Sequence, residues 1–349
     1  MRLVVAIVLA AILAVSHADA GAIVGFQEIV LPQSQSGRAL HAAIWYRAEA
    51  GGAAKNIGDN DVFFGIPGSE KAPPKPGRYP LVIMSHGFPG NWSNQDWLAD
   101  ALVKQGYVVA APNHPGTTTG DVRPIGPNNA LWERPRDLSH MIDGLLADPS
   151  WSSLIAPERI AAVGHSMGGW TIMELAGARF DGVRFENDCK EHPTSASCEV
   201  MRNVGFDASS NQQANVRFKE SFKDERIKAF ISLDLGLARG FDPVTLGKID
   251  RPVLVIATGP NVSFSSKIQS DLNSKYMADL MPPDTTRYLQ IKDAAHFSFL
   301  PICKPNAKAI LGNDAMLCED GGGRDRDAIH QQVSKEIIHF LAETLLKAP

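Results

Sequence analysis

Short apolar runs alternate with longer amphipathic segments along most of the chain, a pattern typical of α/β proteins. The strand-like runs cover residues 23–31, 38–46, 79–86, 107–112, 159–163, 227–234, 252–258 and 287–292. A turn-prone segment separates the first two runs, which therefore predict an antiparallel hairpin. The later runs are nearly continuous in apolar side chains, as expected for parallel strands that are covered on both faces.

Four amphipathic segments predict the helices that cover this sheet. Ser93 and Asp96 form a capping-box pair that opens the first, and Pro135 suits the first turn of the second. The third follows at residues 170–176, and the fourth spans residues 327–347 with an apolar stripe. Because crossovers between parallel strands are right-handed, we expect an α/β fold with a mostly parallel central sheet and helices on both faces.

Two segments depart from this alternation. Residues 47–79 contain several glycines and prolines and few large apolar side chains, so they predict a long surface connection. Residues 180–225 are charged and mixed, and they predict an irregular cap insert over a site. The pattern therefore indicates a single domain from residue 21 to residue 349.

The first 20 residues predict a secretory signal peptide. Arg2 precedes thirteen consecutive apolar residues, and an Ala-x-Ala pattern ends at Ala20. The apolar run is too short to span a bilayer, and no second hydrophobic stretch follows it. We therefore expect cleavage after Ala20, export to the periplasm or the cell exterior, and no stable membrane anchor.

Cysteine usage agrees with export. The four cysteines are Cys189, Cys198, Cys303 and Cys318. Four cysteines allow three pairings, of which the pairing of sequence neighbours joins Cys189 to Cys198 and Cys303 to Cys318. A four-cysteine zinc site is the alternative, but no C-x-x-C spacing supports it.

Charge and motifs exclude several classes of function. The formal net charge of −4 and the absence of a Lys/Arg cluster argue against a nucleic-acid partner. Neither H-E-x-x-H nor G-x-x-x-x-G-K-[ST] occurs in the sequence. We expect no metal and no cofactor, and the sequence does not predict an oligomeric state.

The strongest chemical signal is Gly-His-Ser-Met-Gly at residues 164–168. It follows a strand-like run and precedes a helix, which is the context of a nucleophile elbow. The two glycines permit the sharp turn that holds the serine in a strained conformation and exposes its hydroxyl. Ser166 is therefore the candidate nucleophile.

A serine nucleophile needs a base and a group that orients the base. Among the histidines, His296 lies in a loop just past the last predicted strand, where an imidazole can return over Ser166. The chain order Ser, then acid, then His places the acid between these residues. Asp234 ends a predicted strand and is the candidate, with Asp242 and Asp271 as alternatives.

The remaining candidates surround the elbow. The backbone amides of Met167 and Phe88 are placed to form an oxyanion hole. His86, Trp170 and Phe297 are candidates for the substrate pocket, although each is also compatible with simple packing. His165 is expected to point away from Ser166.

These motifs resemble the α/β-hydrolase superfamily over nearly all of the chain after residue 20. Within it, they are similar to the platelet-activating-factor acetylhydrolase family and its bacterial relatives, the predicted dienelactone hydrolases. The matching segments are residues 84–88, 111–116, 134–137, 164–169, 231–234 and 296–299. The resemblance implies that the acid follows the strand before the usual one, at Asp234, and that Phe88 and Met167 supply the oxyanion donors. Dienelactone hydrolases use a cysteine at the position of Ser166, so lactone opening does not carry over.

The sequence therefore predicts an exported, metal-independent serine esterase. Its expected substrate is a small-molecule or lipid carboxylic ester with a short or medium acyl group, as in acetylhydrolases or lipases. A polyester or cutinase-like hydrolase is the alternative, although no carboxylate occurs at its usual acid position, residues 259–264. A non-catalytic binding protein on the same fold is the other alternative.

Overall fold

The structure, a computed structural model, describes residues 21–32, 38–121, 127–203, 206, 208–209, 212–259 and 271–346. The predicted signal peptide lies outside these residues. Parts of the cap insert and of the segment after residue 259 also lie outside them.

Within the described residues, ten strands form one sheet. They are β1 (Ile23–Leu31), β2 (Leu40–Ala48), β3 (Ala53–Ile57), β4 (Ile66–Glu70), β5 (Tyr79–Ser85), β6 (Val108–Pro112), β7 (Ile155–His165), β8 (Ile227–Leu233), β9 (Val253–Thr258) and β10 (Thr286–Ile291). Their order is β10-β9-β8-β7-β5-β6-β2-β1-β4-β3. From β10 to β6 all neighbours are parallel, and the hairpin β1–β2 joins this region through an antiparallel pair with β6. The predicted fold class is confirmed.

The helices cover both faces of the sheet, as predicted. They are α1 (Asp96–Lys104), α2 (Pro127–Ala147), α3 (Pro149–Ser152), α4 (Met167–Leu175), α5 (Gly182–Glu191), α6 (Ala196–Asn203), α7 (Gln212–Phe218), α8 (Pro243–Leu246), α9 (Tyr276–Leu280), α10 (Ala307–Leu311) and α11 (Arg326–Leu341). Helices α1 and α11 pack in one apolar core, and α2 and α4 pack in another on the opposite face. Because β5 to β10 are parallel, their carboxyl ends meet at one edge, where such sheets hold their sites.

Residues 47–79 are not only a connection, so the prediction for this segment was wrong in part. Strands β3 and β4 pair antiparallel with each other, and β4 pairs parallel with β1 at the edge of the sheet. Most of their side chains are at least partly exposed, and Pro67 and Gly68 lie in β4. Strand β4 pairs with β1 only at Ser69 and Glu70, so Pro67 and Gly68 lie where β4 pairs with β3 alone. Proline and glycine are tolerated where ladder bonds are needed on one side only. The composition therefore resembles that of a loop although the backbone is extended.

The second predicted helix begins earlier than expected. Helix α2 starts at Pro127, and Pro135 lies inside it. A proline removes one backbone hydrogen bond from a helix interior and disfavours it. Here the buried apolar side chains of Leu131 and Leu138 lie on either side of Pro135 and anchor both halves in the core. Packing in the core therefore outweighs the unfavourable effect of a proline inside the helix.

The cap insert contains helices α5, α6 and α7, so it is more regular than the sequence predicted. A disulfide between Cys189 and Cys198 joins α5 to α6. The insert lies against the loop that follows β8, where the backbone amide of Leu237 donates to Oγ of Ser197 at 3.2 Å. The insert therefore contacts the edge of the sheet that holds the carboxyl ends of the strands.

A second disulfide joins Cys303 to Cys318 and closes the loop before α11. Both bridges follow the pairing of sequence neighbours. Disulfides form and persist in oxidising compartments, which favours an exported protein. None of the helices in the described part of the chain is long and apolar enough to cross a membrane.

Removing the second bridge is expected to destabilise the fold. Closing a loop with a sequence separation of 15 restricts the unfolded chain, so Cys303→Ser with Cys318→Ser should lower the free energy of unfolding by about 3 kcal/mol. Urea denaturation measures this loss. The pair Cys189→Ser and Cys198→Ser is the matched control, and its shorter loop predicts a slightly smaller loss. Unchanged stability in both pairs would contradict the expectation.

Candidate active site

Strand β7 ends at His165, and the chain turns at Ser166 into helix α4. Ser166 has φ 56° and ψ −120°, a conformation that is strained for any residue except glycine. A Cβ atom at Gly168 would overlap the carbonyl oxygen of Ser85, and one at Gly164 would overlap the carbonyl of Gly168. Only glycine fits these two positions, so the flanking glycines permit the turn. Ser166 itself is partly exposed at the edge of the sheet.

His296 and Asp234 meet beside this elbow. Nδ1 of His296 lies 2.7 Å from Oδ2 of Asp234, and both side chains are buried. Because the carboxylate accepts, Nδ1 carries the proton and Nε2 keeps its lone pair. The His296 ring centroid lies 4.7 Å from that of His165, the residue before Ser166. The structure therefore brings together the three segments that the sequence selected.

Asp234 is held by its neighbour on strand β9. The backbone amide of Thr258 donates to Oδ1 of Asp234 at 3.1 Å, and the Thr258 hydroxyl donates to Oδ2 at 3.0 Å. The Asp234 amide donates to the carbonyl of Ile256 at 2.7 Å. The two bonds from Thr258 favour the ionised carboxylate and fix its orientation, and the backbone bond to Ile256 holds the residue in place. Sequence analysis missed Thr258, whose only signal is its place at the end of a predicted strand.

The two predicted oxyanion donors belong to two segments that meet at Ser166. Met167 is the first residue of α4, where backbone amides have no acceptor within the helix. Phe88 follows Gly87, and a Cβ atom at Gly87 would lie 3.3 Å from Cβ of Ser166. The backbone before Phe88 therefore passes directly beside the serine. This placement allows both amides to face an oxygen bonded to the carbon that Ser166 attacks.

The three pocket candidates differ in their surroundings. Phe297 is partly exposed, and its ring centroid lies 5.0 Å from that of His296. Trp170 is fully buried and packs against Phe180 and Phe241, so its contacts are those of a core residue. His86 is also buried, and its Nε2 accepts from the backbone amide of His114 at 3.1 Å. Of the three, only Phe297 has a partly exposed side chain beside the histidine.

His165 has a role that the sequence did not indicate. Its Nε2 donates to the carbonyl of His296 at 3.0 Å, while its Nδ1 has no hydrogen-bond partner among the described residues. Burial and the neighbouring His296 lower the pKa of His165 to about 3. The ring is therefore neutral near pH 7 and anchors the backbone of His296. Only its position beside Ser166 could have drawn attention to it.

Of the two alternative acids, Asp242 is not placed like Asp234. Asp242 immediately precedes helix α8, and its side chain accepts from the backbone amide of Val244 at 2.9 Å. It is therefore a helix cap. The side chain of Asp271 lies outside the described residues.

The described residues contain one cluster with ligand atoms close enough to hold a metal ion: Asp188, Glu191 and His192, on or next to helix α5 of the cap. Nε of Arg239 already donates to Oδ1 of Asp188 at 2.7 Å. A guanidinium in that place satisfies the carboxylate and repels a cation. The absence of a metal in the reaction remains a prediction.

His330 ties helix α11 to the loop of His296. Its Nε2 donates to the carbonyl of Ser298 at 2.8 Å, and its ring stacks on Trp97 with centroids 3.9 Å apart. Burial and the charge of Arg326 lower the pKa of His330 from 6.5 to about 3. The ring is therefore neutral in the folded chain at pH values where the unfolded chain is protonated.

This difference predicts a pH-dependent stability. As the pH falls from 6.5 toward about 3, the unfolded chain binds the extra proton, so His330 makes the free energy of unfolding fall. His330→Gln keeps a donor but does not titrate. The stability advantage of the wild type over the variant should therefore shrink by up to about 1.4 kcal/mol per pH unit. Urea denaturation between about pH 4.5 and 7.5 tests this, and a constant difference would contradict it.

Comparison with known proteins agrees with this architecture. Within the sequence, residues 82–301 match the alpha/beta hydrolase family. The cutinase est1 of Thermobifida alba is 33% identical over 108 residues, which are 30% of this chain and 32% of that protein. The cutinase cut1 of Thermobifida fusca is 31% identical over 108 residues, which are 30% of each chain. These matches thus span about a third of the length of either cutinase.

Among solved structures, a ferulic acid esterase from Streptomyces cinnamoneus superposes with a TM-score of 0.61 and 17% identity. The match covers 94% of this chain and 91% of that one. At this identity the likeness supports the fold alone. The family match covers well over half of the sequence and confirms the superfamily that the motifs resemble. The chain belongs to the alpha/beta hydrolase family.

Proposed function

We propose that this protein is an exported serine hydrolase that cleaves carboxylic esters through an acyl-serine intermediate. The observation that carries the proposal is the 2.7 Å hydrogen bond from His296 Nδ1 to Asp234 Oδ2 beside the strained elbow of Ser166. This bond leaves Nε2 of His296 able to accept the serine proton. Ser166, Asp234 and His296 are the proposed catalytic residues.

The reaction follows from these positions. His296 takes the proton of Ser166 as the hydroxyl oxygen attacks the ester carbonyl, and ionised Asp234 stabilises the imidazolium. The carbonyl oxygen becomes an oxyanion, which the amides of Phe88 and Met167 stabilise. The C–O bond to the alcohol breaks, and the alcohol leaves with the proton from His296. Water, deprotonated by His296, then attacks the acyl-serine. The C–O bond to Ser166 breaks, His296 returns the proton to the serine oxygen, and the acid is released.

The proposed substrate is a small-molecule or lipid ester with a short or medium acyl chain. Phe88 and Phe297 are partly exposed apolar side chains at the site and can contact an acyl group. The name of the two cutinases denotes ester-cleaving enzymes, which supports this reaction class. The two disulfides and the predicted signal peptide support export to the periplasm or the cell exterior.

Nitrophenyl esters of graded acyl length test the proposal together with a fluorophosphonate probe. We expect one labelled site per chain and the highest kcat/KM for short or medium acyl groups. A phospholipid with a short second acyl chain, assayed in parallel, separates acetylhydrolase-like from simple esterase activity. A wild-type protein that neither labels nor hydrolyses any ester would refute the proposal and favour a binding protein on this fold.

A polyester is the second candidate substrate. The similarity to two cutinases favours it, although the match covers only about a third of each of those proteins. Release of soluble acid from a polyester film, compared with turnover of nitrophenyl butyrate, distinguishes the two substrates. Activity on the soluble ester alone would exclude the polyester.

A further inference from the structure

Arg134 is the only fully buried charged side chain that helix α2 presents to the core in the described residues. It lies on the same stripe as Leu138 and Leu145, whose side chains are also fully buried. Burial lowers the pKa of Arg134 to about 9, so the guanidinium remains charged at neutral pH. Burying a charge is costly unless its donors are paired. Its partners therefore indicate what this residue does.

The guanidinium donates to both elements that carry the proposed oxyanion donors. Its Nη2 donates to the carbonyl of His86, two residues before Phe88. Its Nε donates to Oγ1 of Thr171 at 3.0 Å. The Thr171 hydroxyl in turn donates to the carbonyl of Met167 at 2.9 Å. One rigid group thus connects the loop after β5 to the first turn of α4.

A second set of buried hydrogen bonds holds the loop that follows β5. Nδ1 of His114 donates to Oδ2 of Asp137 at 2.9 Å, and its Nε2 lies 3.0 Å from Oγ of Ser85. The backbone amide of His114 donates to the ring of His86. Burial lowers the pKa of His114, so this ring is neutral.

The hydrogen bonds that link Ser85, His114 and Asp137 have the pattern of a catalytic triad. All three side chains, however, are almost completely shielded from solvent. A substrate cannot reach the Ser85 hydroxyl without unfolding the sheet edge. The group is therefore a support for the loop and not a second reaction site.

We propose that Arg134 is a positioning residue for the oxyanion hole. It sets the distance between the amides of Phe88 and Met167 by holding the His86 carbonyl directly and the Met167 carbonyl through Thr171. Oxyanion stabilisation depends on donors that are in place before the charge develops, and small displacements of reacting groups are costly. This inference rests on the proposed function and adds how its transition state is stabilised.

Variants at Arg134 and Thr171 test the inference on nitrophenyl acetate, with active sites counted by fluorophosphonate labelling. Arg134→Met should lower kcat per labelled site about 100-fold, and Thr171→Val about tenfold, with KM changed less than about threefold. Thr171→Ser keeps the hydroxyl and should restore kcat. A merely structural role would reduce the amount of folded protein or its Tm, but not kcat per site.

Thr117→Val is the matched control. Oγ1 of Thr117 accepts from Nη1 of Arg134 at 2.6 Å. This variant therefore also removes a bond of the guanidinium, but one that is not part of the link to Met167. We expect a similar loss of Tm with kcat within about threefold of wild type. If Arg134→Met does not fold, the kcat of Thr171→Val compared with that of Thr171→Ser tests the inference instead. Equal kcat values in these two variants would overturn it.

The outcomes separate the two proposals. Wild-type turnover together with unchanged kcat in Thr171→Val and Arg134→Met would overturn the role of Arg134 and leave the esterase proposal intact. Equal losses of kcat in Thr171→Val and Thr117→Val would also overturn it. A wild-type protein without labelling or turnover would instead refute the proposed function itself.

Discussion

Replacing Ser166 with alanine is expected to lower kcat for nitrophenyl acetate about a million-fold, the loss typical of a missing serine nucleophile. The side chain is partly exposed, and the backbone strain at this position belongs to the turn and not to the hydroxyl. Alanine can therefore occupy the elbow, and the fold should persist. Fluorophosphonate labelling should disappear with the hydroxyl. An unchanged circular dichroism spectrum and Tm would show that kcat falls because the nucleophile is missing and not because the protein unfolds.

Ser232→Ala is the control for this variant. Ser232 lies on the neighbouring strand β8, is fully buried, and its hydroxyl has no hydrogen-bond partner among the described residues. Removing an unpaired buried hydroxyl does not reduce stability, and turnover should stay near wild type. Combining Ser166→Ala with His296→Ala should cost no more than Ser166→Ala alone, because the residues of a triad act as one unit. Additive losses, or residual labelling of Ser166→Ala, would show that another residue is the nucleophile.

The predictable parts of this protein are those with local signals. Continuous apolar runs located β5 to β10, and the glycines at residues 164 and 168 identified the elbow because only a residue without Cβ fits there. His296 and Asp234 followed from their positions after strands, since parallel strands bring their carboxyl ends to one edge. Chain order then reduced the acids to a few candidates.

The supporting residues could not be predicted because their partners are distant in sequence. Thr171 and the carbonyl of His86 are 37 and 48 residues from Arg134, and His165 donates to a carbonyl 131 residues away. A partial signal existed, because Arg134 lies on the apolar stripe of its helix. Burying a charged side chain is costly unless it has buried hydrogen-bond partners. The helix start at Pro127 was missed for a related reason, because core packing on both sides outweighs the penalty of Pro135.

Asp234→Asn is expected to lower kcat about 10⁴-fold while leaving the geometry of the site almost unchanged. The reason lies in the two bonds from Thr258. The backbone amide of Thr258 donates to Oδ1 and can only donate, so the amide oxygen of asparagine must stay in that place. The amide nitrogen then faces Nδ1 of His296 and donates to it. The ring proton is forced onto Nε2, where it points toward Ser166 and removes the base.

Asp242→Asn provides the comparison, because Asp242 is the alternative acid whose contact is known. Its carboxylate caps helix α8, and asparagine is an equally good cap, so both stability and turnover should remain close to wild type. Steady-state turnover and the Tm of both variants measure the contrast. Turnover of Asp234→Asn within tenfold of wild type would mean that Asp234 does not set the tautomer of His296. The 2.7 Å bond between them would then be structural, and the acid would have to be sought beyond residue 259 in the segment that the structure does not describe.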